Sequence, residues 1–511
     1  MTDLREWIAE VAALGQLVEV RGARCEDEIG PITRLYMARP GNPALLFREI
    51  PGYAPDVRIL TNVNTSQERV ALSLRLPAGL SSQALVERWR DFARGYRPIP
   101  HVTATDGPVL THSLEGDRVD LRRFPAPRWH ERDGSDYLGT GSLVVIRDPD
   151  SDWINAGCYR VAVHDERTAG LLISPSHHGR TLLERHWRRG QPCPVAVSLG
   201  HDPLLYLIGG INVPAGVCEY DVAGAVQGRA VETVRAPVTG LPVPARAEVV
   251  LEGFVPPDER REEGPFGEWT GYYAAGRRPQ PVIRVKAIHY RPSPIIVGAI
   301  PGAPPSDNTY YFSFLTAAEV WNQLELAGVA GVRGVWAHES GGGRMWITIA
   351  IEQLYPGHSR QAGLIASQCL AGAYANRWVV VVDEDIDPRD TDAVLWAMCT
   401  RVDPREDVTV LTRCLSSALD PMAYPEQEPM YNARVVVDAC RPWHRRHTFP
   451  PAVTMSPAVQ QRILEKFPEL FQAITRDGLP PPRVGEDESV PARTGRRPPA
   501  RPRGRPSAPR Q

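Results

Sequence analysis

The hydrophobic pattern divides the 511-residue chain into regions of different character. Near the N-terminus, apolar side chains recur every three or four positions over residues 3–15, which predicts an amphipathic helix. Between about residues 116 and 310 the apolar runs are short and turns separate them, a pattern typical of a β-barrel or β-sandwich. The predicted strands of this region span residues 143–146, 195–199, 247–251, 282–288 and 294–300.

After about residue 311, predicted helices alternate with predicted strands. We predict helices over residues 317–326 and 361–373, and strands over residues 345–351 and 378–382. Residues 379–382 are continuously apolar, as expected for a strand that is buried on both faces. The alternation therefore indicates an α/β layer.

The C-terminal end combines a helix with a tail of unusual composition. Residues 456–474 predict a helix, with Ser456 as its N-cap before Pro457. Residues 493–511 hold seven arginines, five prolines and no acidic residue, so we expect them to be disordered. The patterns predict a mixed α/β chain with an N-terminal α/β domain at 1–115, a central β domain at 116–310, a C-terminal α/β domain at 311–455, a helix at 456–484 and a tail at 485–511.

The composition excludes several classes of protein. Hydrophobic residues make up 42% and charged residues 23%, as in ordinary globular proteins. The net charge of −2 does not point to nucleic acid as a partner, and the sequence lacks an apolar run long enough to span a membrane. The first residues include acids where a signal peptide needs a basic end, and the eight cysteines form no C-x-x-C pair. We therefore expect a reduced, cytoplasmic protein.

Common catalytic motifs are missing from the sequence. The chain has only two lysines, Lys286 and Lys466, and neither stands in a phosphate-binding G-x-x-x-x-G-K-[ST] loop. The G-x-G-x-x-G, G-x-S-x-G and H-E-x-x-H patterns are also missing. The sequence thus gives no support for a Rossmann dehydrogenase, a serine hydrolase with a nucleophile elbow or a zinc protease.

The densest group of chemically useful side chains lies at residues 262–273. Glu262, Glu263 and Glu268 are interleaved there with four aromatic residues in a turn-prone segment. Carboxylates held close together in a dry site raise one another's pKa, which keeps one of them protonated as a proton donor near neutral pH. A solvated acidic loop is the alternative, but such a loop has no use for four aromatic side chains.

Three further segments carry polar side chains that mean little when each is taken alone. Asn155 precedes Arg160 by five positions, and an Asn turn followed by a surface Arg explains that pair equally well. His177 and His178 are adjacent, so at most one of them would bind a given metal ion from an extended segment. Glu219 stands by itself.

Taken in order, these segments resemble the UbiD family of reversible decarboxylases, which use prenylated FMN. The strongest matches are Glu263-Gly264-Pro265-Phe266-Gly267-Glu268, Thr270-Gly271-Tyr272-Tyr273, and the spacing of Asn155 and Arg160. The segment at 382–388, with residues 395–401, also resembles the C-terminal domain of the family. The resemblance extends to about residue 455 and implies that the central domain is a flavin-binding split β-barrel.

The resemblance implies a catalytic set of one arginine and two glutamates. By the motif match these are Arg160, Glu263 and Glu268. Arg160 would hold the substrate carboxylate and pair with Glu263, and Glu268 would protonate the substrate carbon after carbon dioxide leaves. The implied reaction is the reversible, non-oxidative decarboxylation of an aromatic, heteroaromatic or α,β-unsaturated acid through a covalent adduct with the cofactor.

The resemblance also implies a metal ion that links the protein to the cofactor phosphate. Its ligands would be Asn155, His178 and Glu219, a set that suits Mn²⁺ or Mg²⁺, with K⁺ as an additional ion. The family places a basic residue of the C-terminal domain, usually lysine, near the phosphate, and in this chain Arg434 or Arg441 would take its place. The implied cofactor-binding residues are Thr140, Asn155, Gly157, Cys158, Tyr159, Arg160, His178 and Glu219.

The resemblance further implies a flavin prenyltransferase as cofactor supplier and a homodimer or larger homo-oligomer, assembled through the C-terminal helix. Trp269 and the aromatic-rich residues 309–312 would form walls for a flat substrate, unless they belong to the core. Two alternative functions stay open. One is a split-barrel FMN oxidoreductase, and the other is a non-catalytic subunit of a decarboxylase complex.

Overall fold

The computed structural model describes residues 3–39, 41–77, 79–175, 177–423, 431–468 and 470, which form four β-sheets and the helices that cover them. The helices are α1 Leu4–Ala13, α2 Ile29–Met37, α3 Gln67–Ser73, α4 Ser82–Gly95, α5 His178–Arg188, α6 Pro203–Gly209, α7 Glu219–Gln227, α8 Thr309–Leu326, α9 His358–Gln368, α10 Leu370–Ala373, α11 Thr391–Arg401 and α12 Pro457–Lys466. The strands are β1 Leu17–Arg21, β2 Ala44–Arg48, β3 Arg58–Thr61, β4 Val102–Ala104, β5 His112–Glu115, β6 Asp136–Gly139, β7 Ser142–Arg147, β8 Ile154–Gly157, β9 Arg160–Val163, β10 Thr168–Leu172, β11 Cys193–Leu199, β12 Glu232–Arg235, β13 Pro242–Pro244, β14 Val249–Val255, β15 Arg260–Glu263, β16 Arg278–Tyr290, β17 Ile295–Val297, β18 Val332–Ala337, β19 Trp346–Ile351, β20 Trp378–Asp383, β21 Val408–Leu415 and β22 Tyr431–Asp438.

The N-terminal domain is a four-stranded sheet in the order β1-β2-β3-β17, with α1 packed against it. The predicted N-terminal helix is confirmed: Leu4, Trp7 and Val11 are fully buried, and Asp3 caps the helix by accepting from the Glu6 amide. The predicted strand at 294–300 shortens to β17 and pairs parallel to β3, so it completes the N-terminal sheet rather than the central one. A strand of only three apolar residues gives no sign in the sequence of which sheet it joins.

The central domain is a curled antiparallel sheet of ten strands. Its main path runs β6-β9-β10-β16-β14-β11-β7-β8, with β5 and β15 also paired to β16. The predicted strands at 143–146, 195–199, 247–251 and 282–288 are present as β7, β11, β14 and β16, with different ends. The longest is β16, which bridges several neighbours and thereby holds the half-barrel together. A smaller sheet, β13-β12-β4, flanks it.

The C-terminal domain is a five-stranded mixed sheet in the order β18-β19-β20-β22-β21. Strand β20 lies parallel to both neighbours and is buried from Val379 onward, as its apolar sequence predicted. The predicted helix at 317–326 starts earlier, at Thr309, and the one at 361–373 is divided at Cys369 into α9 and α10. The mixed α/β fold class is thereby confirmed.

The last helix of the described residues is α12. Ser456 caps this helix as predicted, since its hydroxyl accepts a hydrogen bond from the Val459 amide. The helix ends at Lys466 rather than at residue 474, and residues 471–511, with the predicted tail, lie outside the described residues. No helix in the described ranges is both long and apolar enough to cross a bilayer.

Candidate active site

The three predicted catalytic residues meet in one buried ion cluster. Arg160 donates from Nε to Glu263 Oε1 at 3.0 Å and from Nη2 to Glu263 Oε2 at 3.1 Å. Its remaining terminal nitrogen, Nη1, donates to Glu268 Oε1 at 2.9 Å. The side chains of the arginine and the two glutamates are 11%, 3% and 8% exposed, so one guanidinium bridges two carboxylates away from bulk water.

The strands of the half-barrel bring these side chains together. Arg160 is the first residue of β9, and Glu263 is the last residue of β15, more than a hundred positions later. Phe266 lies between the two glutamates in sequence, and its ring packs 4.0 Å from the Arg160 guanidinium carbon. Tyr137, on the neighbouring strand β6, donates its hydroxyl to Glu263 Oε1 at 2.8 Å.

The charges in this cluster do not balance, because two carboxylates share one cation. Burial raises the pKa of Glu268 above its ordinary value, and the charges of Glu263 and Asp133 add to that rise while Arg160 opposes it. Burial disfavours the charge of Arg160, but Glu268 and Glu263 outweigh burial and raise its pKa. The guanidinium of Arg160 therefore stays charged. The carboxyl of Glu268 can stay protonated at a higher pH than the carboxyl of an exposed glutamate can.

A segment that sequence reasoning missed supports the loop that carries Glu268. Asp133, which is 5% exposed, accepts hydrogen bonds from the amides of Gly267 and His130. A Cβ atom on Gly267 would lie 2.4 Å from the His130 ring, and one on Gly134 would lie 1.9 Å from the Gly264 carbonyl oxygen. The two segments thus fit together only through glycines. In the sequence, the only sign of this support is a turn-forming Asp-Gly pair far from the glutamates.

A second buried group gathers two of the three predicted metal ligands. Glu219, the first residue of α7, accepts from Asn155 Nδ2 at 2.6 Å and from the Ala156 amide at 2.7 Å. Tyr159 donates its hydroxyl to Asn155 Oδ1 at 2.9 Å. Residues 155 to 159 lead directly from this pair to Arg160, so the two clusters are joined by the short connection between β8 and β9.

The adjacent histidines both pack against aromatic rings of the segment that carries Asn155. His178 begins α5, and its ring packs against that of Trp153, with the ring centres 5.2 Å apart. His177 instead lies against the Tyr159 ring, at 5.8 Å. Burial lowers the pKa of both histidines, which favours the neutral imidazole that a metal ion requires.

The donor set fits a hard divalent cation. Glu219 is 5% exposed, and within the described part of the chain no Lys, Arg or His contacts its carboxylate. Burial raises the pKa of Glu219 to about 7, which reflects a carboxylate that lacks a cation. An amide oxygen, an imidazole and a carboxylate suit Mn²⁺ or Mg²⁺. One carboxylate leaves such an ion with about one positive charge, which would attract the phosphate of a nucleotide cofactor.

The other predicted cofactor-binding residues have contacts within the protein. Thr140 accepts a hydrogen bond from the Ala299 amide at its hydroxyl. Cys158 donates its amide to the Gly209 carbonyl, and its thiol lies 3.3 Å from the Tyr206 carbonyl. A Cβ atom on Gly157 would lie 2.5 Å from the Tyr159 ring, so this glycine allows the ring to reach Asn155.

Both candidate arginines for the phosphate are engaged elsewhere. Arg434 is fully buried and donates to the main-chain carbonyls of Ser367, Ala373 and Leu415. Arg441 pairs with Asp383, at the carboxyl end of β20. The contacts of Arg434 and the pair of Arg441 with Asp383 lie within the C-terminal sheet domain, so they help to hold that domain together.

The aromatic side chains proposed as substrate walls have structural roles. Tyr311 on α8 is 2% exposed and belongs to the main hydrophobic core, and Tyr310 hydrogen-bonds with Ser82. Trp269 packs against Gly342, where an added Cβ atom would lie 2.6 Å from its ring. Trp269 therefore connects the loop of Glu268 to the C-terminal domain.

Three family models match consecutive parts of the chain. Their descriptions are the N-terminal, the Rift-related and the C-terminal domains of 3-octaprenyl-4-hydroxybenzoate carboxy-lyase, and they match residues 8–89, 101–304 and 309–439. A phenolic acid decarboxylase from Streptomyces sp. (strain D7) is 33% identical over 457 residues, covering 86% of this chain and 92% of its own. A pyrrole-2-carboxylic acid decarboxylase from Pseudomonas aeruginosa is 33% identical over 421 residues, covering 79% and 84%.

Solved structures agree with these matches. The UbiD-class enzyme HmfF from Pelotomaculum thermopropionicum, in complex with FMN, superposes with a TM-score of 0.80 at 27% identity, covering 91% of this chain and 100% of that one. An evolved dimeric form of the same enzyme, in complex with prFMN, gives a TM-score of 0.77 at 27% identity and covers 90% and 98%. The likeness therefore extends over all three domains.

Proposed function

Because the chain belongs to the UbiD family of carboxy-lyases, we propose that it decarboxylates an aromatic or heteroaromatic acid with prenylated FMN and a divalent cation. The observation that carries this proposal is the buried cluster of Arg160, Glu263 and Glu268. A scaffold subunit has no use for a guanidinium that is buried between two carboxylates, since such clusters are costly to desolvate.

The contacts of Arg160 suggest how the substrate enters the cluster. Two of its nitrogens form a fork with Glu263, whereas Glu268 receives a single bond from Nη1. We propose that the carboxylate of the substrate takes the place of Glu268 at Nη1, because one bond is easier to exchange than two. Glu263 then keeps the guanidinium oriented, and Glu268 is released toward the carbon that must receive a proton.

The proton is the second contribution of the chain. Loss of carbon dioxide from an sp² carbon leaves an electron pair that side chains cannot delocalise, and bound prenylated FMN supplies the required electron sink. Glu268, whose pKa is raised by burial, would deliver the proton to that carbon. Asn155, His178 and Glu219 would hold Mn²⁺ or Mg²⁺ and, through the ion, the cofactor phosphate.

The substrate class rests on the relatives. They act on phenolic acids and on pyrrole-2-carboxylate, which are flat, conjugated acids. We propose the same class for this chain. The rings of Phe266 and Tyr137 lie 4.0 and 5.6 Å from the guanidinium carbon of Arg160, so the acid group would bind among aromatic side chains.

We further propose a homo-oligomer in a reducing compartment. The α12 helix has no buried residue among those described, and the edge strand β21 exposes Val410 and Leu415, each 60% accessible. A second copy would cover these surfaces, and one related structure is a dimer. All eight cysteines are free, as expected where thiols stay reduced.

The test is to co-express the full chain with a flavin prenyltransferase and to incubate it with aromatic and heteroaromatic acids. We expect release of carbon dioxide from at least one acid by the wild type, and release that is slower by about 10²-fold or more by the Glu268→Gln variant. Oxidation of NAD(P)H with unmodified FMN would instead support the oxidoreductase alternative. Mass spectrometry that finds no flavin would support the scaffold alternative.

A further inference from the structure

The turn that precedes β6 holds the loop of Glu268 through one carboxylate. Asp133 Oδ2 accepts a hydrogen bond from the His130 amide at 3.0 Å, which closes the turn. The other oxygen, Oδ1, accepts a hydrogen bond from the Gly267 amide at 2.9 Å. The residue immediately before Glu268 is therefore held in place by the buried side chain of Asp133.

His130 joins the same loop to the linker between the central and the C-terminal domains. Its ring lies against Gly267, where an added Cβ atom would lie 2.4 Å away, and its Nε2 lies 2.7 Å from the Pro301 carbonyl oxygen. A carbonyl oxygen only accepts, so Nε2 carries the hydrogen and donates it. Pro301 belongs to the linker of residues 298–308, which runs from β17 to α8. The position of the loop thus depends on this linker as well as on Asp133.

The linker is held in place by further contacts. Arg34, on α2, donates to the carbonyl of Ala303. An added Cβ atom on Gly271 would lie 2.9 Å from the Cα atom of Ala303, so the loop also packs closely on the linker beyond Glu268. Both ends of the segment 267–271 are thus supported, which limits the positions that the Glu268 carboxyl can take.

Asp133 also adds a third carboxylate to the surroundings of Arg160. Burial raises the pKa of Glu268, Arg160 lowers it, and the charges of Glu263 and Asp133 raise it further. Burial also raises the pKa of Asp133, while its amide donors and Arg160 oppose this rise. Among the described residues, the titratable groups around these two carboxyls are His130, Tyr137, Arg160, Glu263 and Tyr273, with Glu131 and Arg132 exposed on the turn. Removal of the charge of Asp133 would therefore make Glu268 a stronger acid.

We propose that Asp133 and His130 are positioning residues for the proton donor, and that the charge of Asp133 keeps Glu268 protonated until the substrate carbon receives the proton. This assignment rests on the proposed function and extends it to a turn outside the catalytic and metal-binding sets. A general acid works only when it is protonated and correctly placed, and a displacement of about 1 Å can lower a rate by about 10²-fold. The alternative is a turn that only stabilises the fold.

The first test is Asp133→Asn in the full chain, co-expressed with a flavin prenyltransferase and assayed with an acid that the wild type decarboxylates. Asparagine keeps the shape and one acceptor oxygen but removes the charge. We expect kcat and kcat/KM to fall together by about 10- to 100-fold, with flavin content unchanged, because the loop is held less well. The fall of kcat at alkaline pH should also begin at a lower pH, because Glu268 loses its proton more readily without the neighbouring charge. A turn that serves stability alone would not move this pH dependence.

The second test removes and restores the hydrogen bond of His130. His130→Leu lacks a donor for the Pro301 carbonyl, whereas His130→Gln carries an amide nitrogen that can take the place of Nε2. We expect His130→Leu to lower kcat by about tenfold or more, and His130→Gln to recover most of this loss. If Asp133→Asn does not fold, this pair of variants still tests the proposal, because the His130 side chain is only partly buried.

The matched control is Asp136→Asn, in the same segment. The Asp136 side chain is 48% exposed and pairs with Arg128 at 3.0 Å. This substitution also removes one negative charge, but from the surface. It should change neither kcat nor its pH dependence.

Two results would overturn this assignment while the proposed function survives. The first is a pH dependence of kcat that is the same in Asp133→Asn and in the wild type, which would make the turn a structural support only. The second is equal kcat of His130→Leu and His130→Gln, which would show that the bond to the linker does not position the donor. Full turnover by Glu268→Gln, or no release of carbon dioxide by the wild type, would instead contradict the proposed function itself.

Discussion

The substitution Glu268→Gln separates the chemistry of the active site from its stability. The carboxylate of Glu268 is 8% exposed and accepts one hydrogen bond from Arg160. Glutamine has the same length and keeps one oxygen for that bond, so the packing of the loop is preserved. What is lost is the acidic proton and the negative charge.

The expected loss of activity follows from the role of a general acid. A positioned proton donor contributes about 10²- to 10⁴-fold to a rate. At about 1.36 kcal/mol per factor of ten, this range corresponds to about 2.7 to 5.4 kcal/mol of transition-state stabilisation. We therefore expect kcat to fall by about 10² to 10⁴ while flavin and metal stay bound, since Glu268 belongs to neither binding set.

The same substitution, which should lower activity, should not lower the stability of the fold. Burial raises the pKa of Glu268 from the ordinary 4.5, so the folded chain holds this proton more tightly than the unfolded chain does. The stabilising contribution is fully present below about pH 4.5 and is lost as pH rises through the folded-state pKa. At neutral pH the buried charge is thus a cost, and Glu268→Gln should be as stable as the wild type or more so.

The assay measures decarboxylation rate, flavin content and thermal unfolding on the same samples. Glu262→Gln is the matched control, because Glu262 is 49% exposed on β15, next to Glu263, and lies 3.9 Å from Arg277. This control should change neither rate nor stability. Full turnover of Glu268→Gln would refute the role of the carboxyl as proton donor. A marked loss of its stability would refute the view that the charge is a cost.

Three further predictions concern the metal ion and the loop. His178→Ala should lose Mn²⁺ and flavin together, as measured by elemental analysis and absorbance, whereas His177→Ala should retain the metal. If His177→Ala loses the metal and His178→Ala retains it, His177 is the ligand instead. Glu219, whose pKa is about 7, must be deprotonated to bind the ion. Calorimetry should therefore find that the affinity for Mn²⁺ is about tenfold lower at about pH 6 than at about pH 8. An affinity that does not change with pH would count against Glu219 as a ligand. Gly267→Ala should lower the free energy of unfolding in urea by about 1–3 kcal/mol, because its Cβ atom would lie 2.4 Å from the ring of His130. The control Gly276→Ala should not change it, because Gly276 has open space around it.

Sequence patterns predicted the elements that bury the same face, or both faces, along their whole length. Strand β20 is apolar from Val379 to Val382 and is buried on both faces, and α1 has one clear apolar stripe. The start of α8 was not predicted, because Tyr310 and Tyr311 are equally compatible with a strand or a binding wall. Their burial between α4 and the central domain became evident only from the structure.

The candidate site shows a similar division. The motif match named Arg160, Glu263 and Glu268, and the structure brings all three together. Asp133 was not predicted. Asp133 accepts a hydrogen bond from the main-chain amide of Gly267. Such a bond does not depend on the type of the partner residue, so the sequence does not reveal it.

The two active-site glutamates show why residue type alone does not determine a catalytic role. Glu263 and Glu268 stand five positions apart and bond the same guanidinium. Glu263 also accepts the hydroxyl of Tyr137, so its carboxylate receives three hydrogen bonds, all of which stabilise its charged form. Glu268 receives one, and its second oxygen has no donor among the described residues. The excess negative charge of the cluster is therefore least stabilised on Glu268, and this carboxyl is the one that takes up a proton. In the proposed mechanism, the same environment would keep Glu263 as the fixed partner of Arg160 while Glu268 gives up its proton.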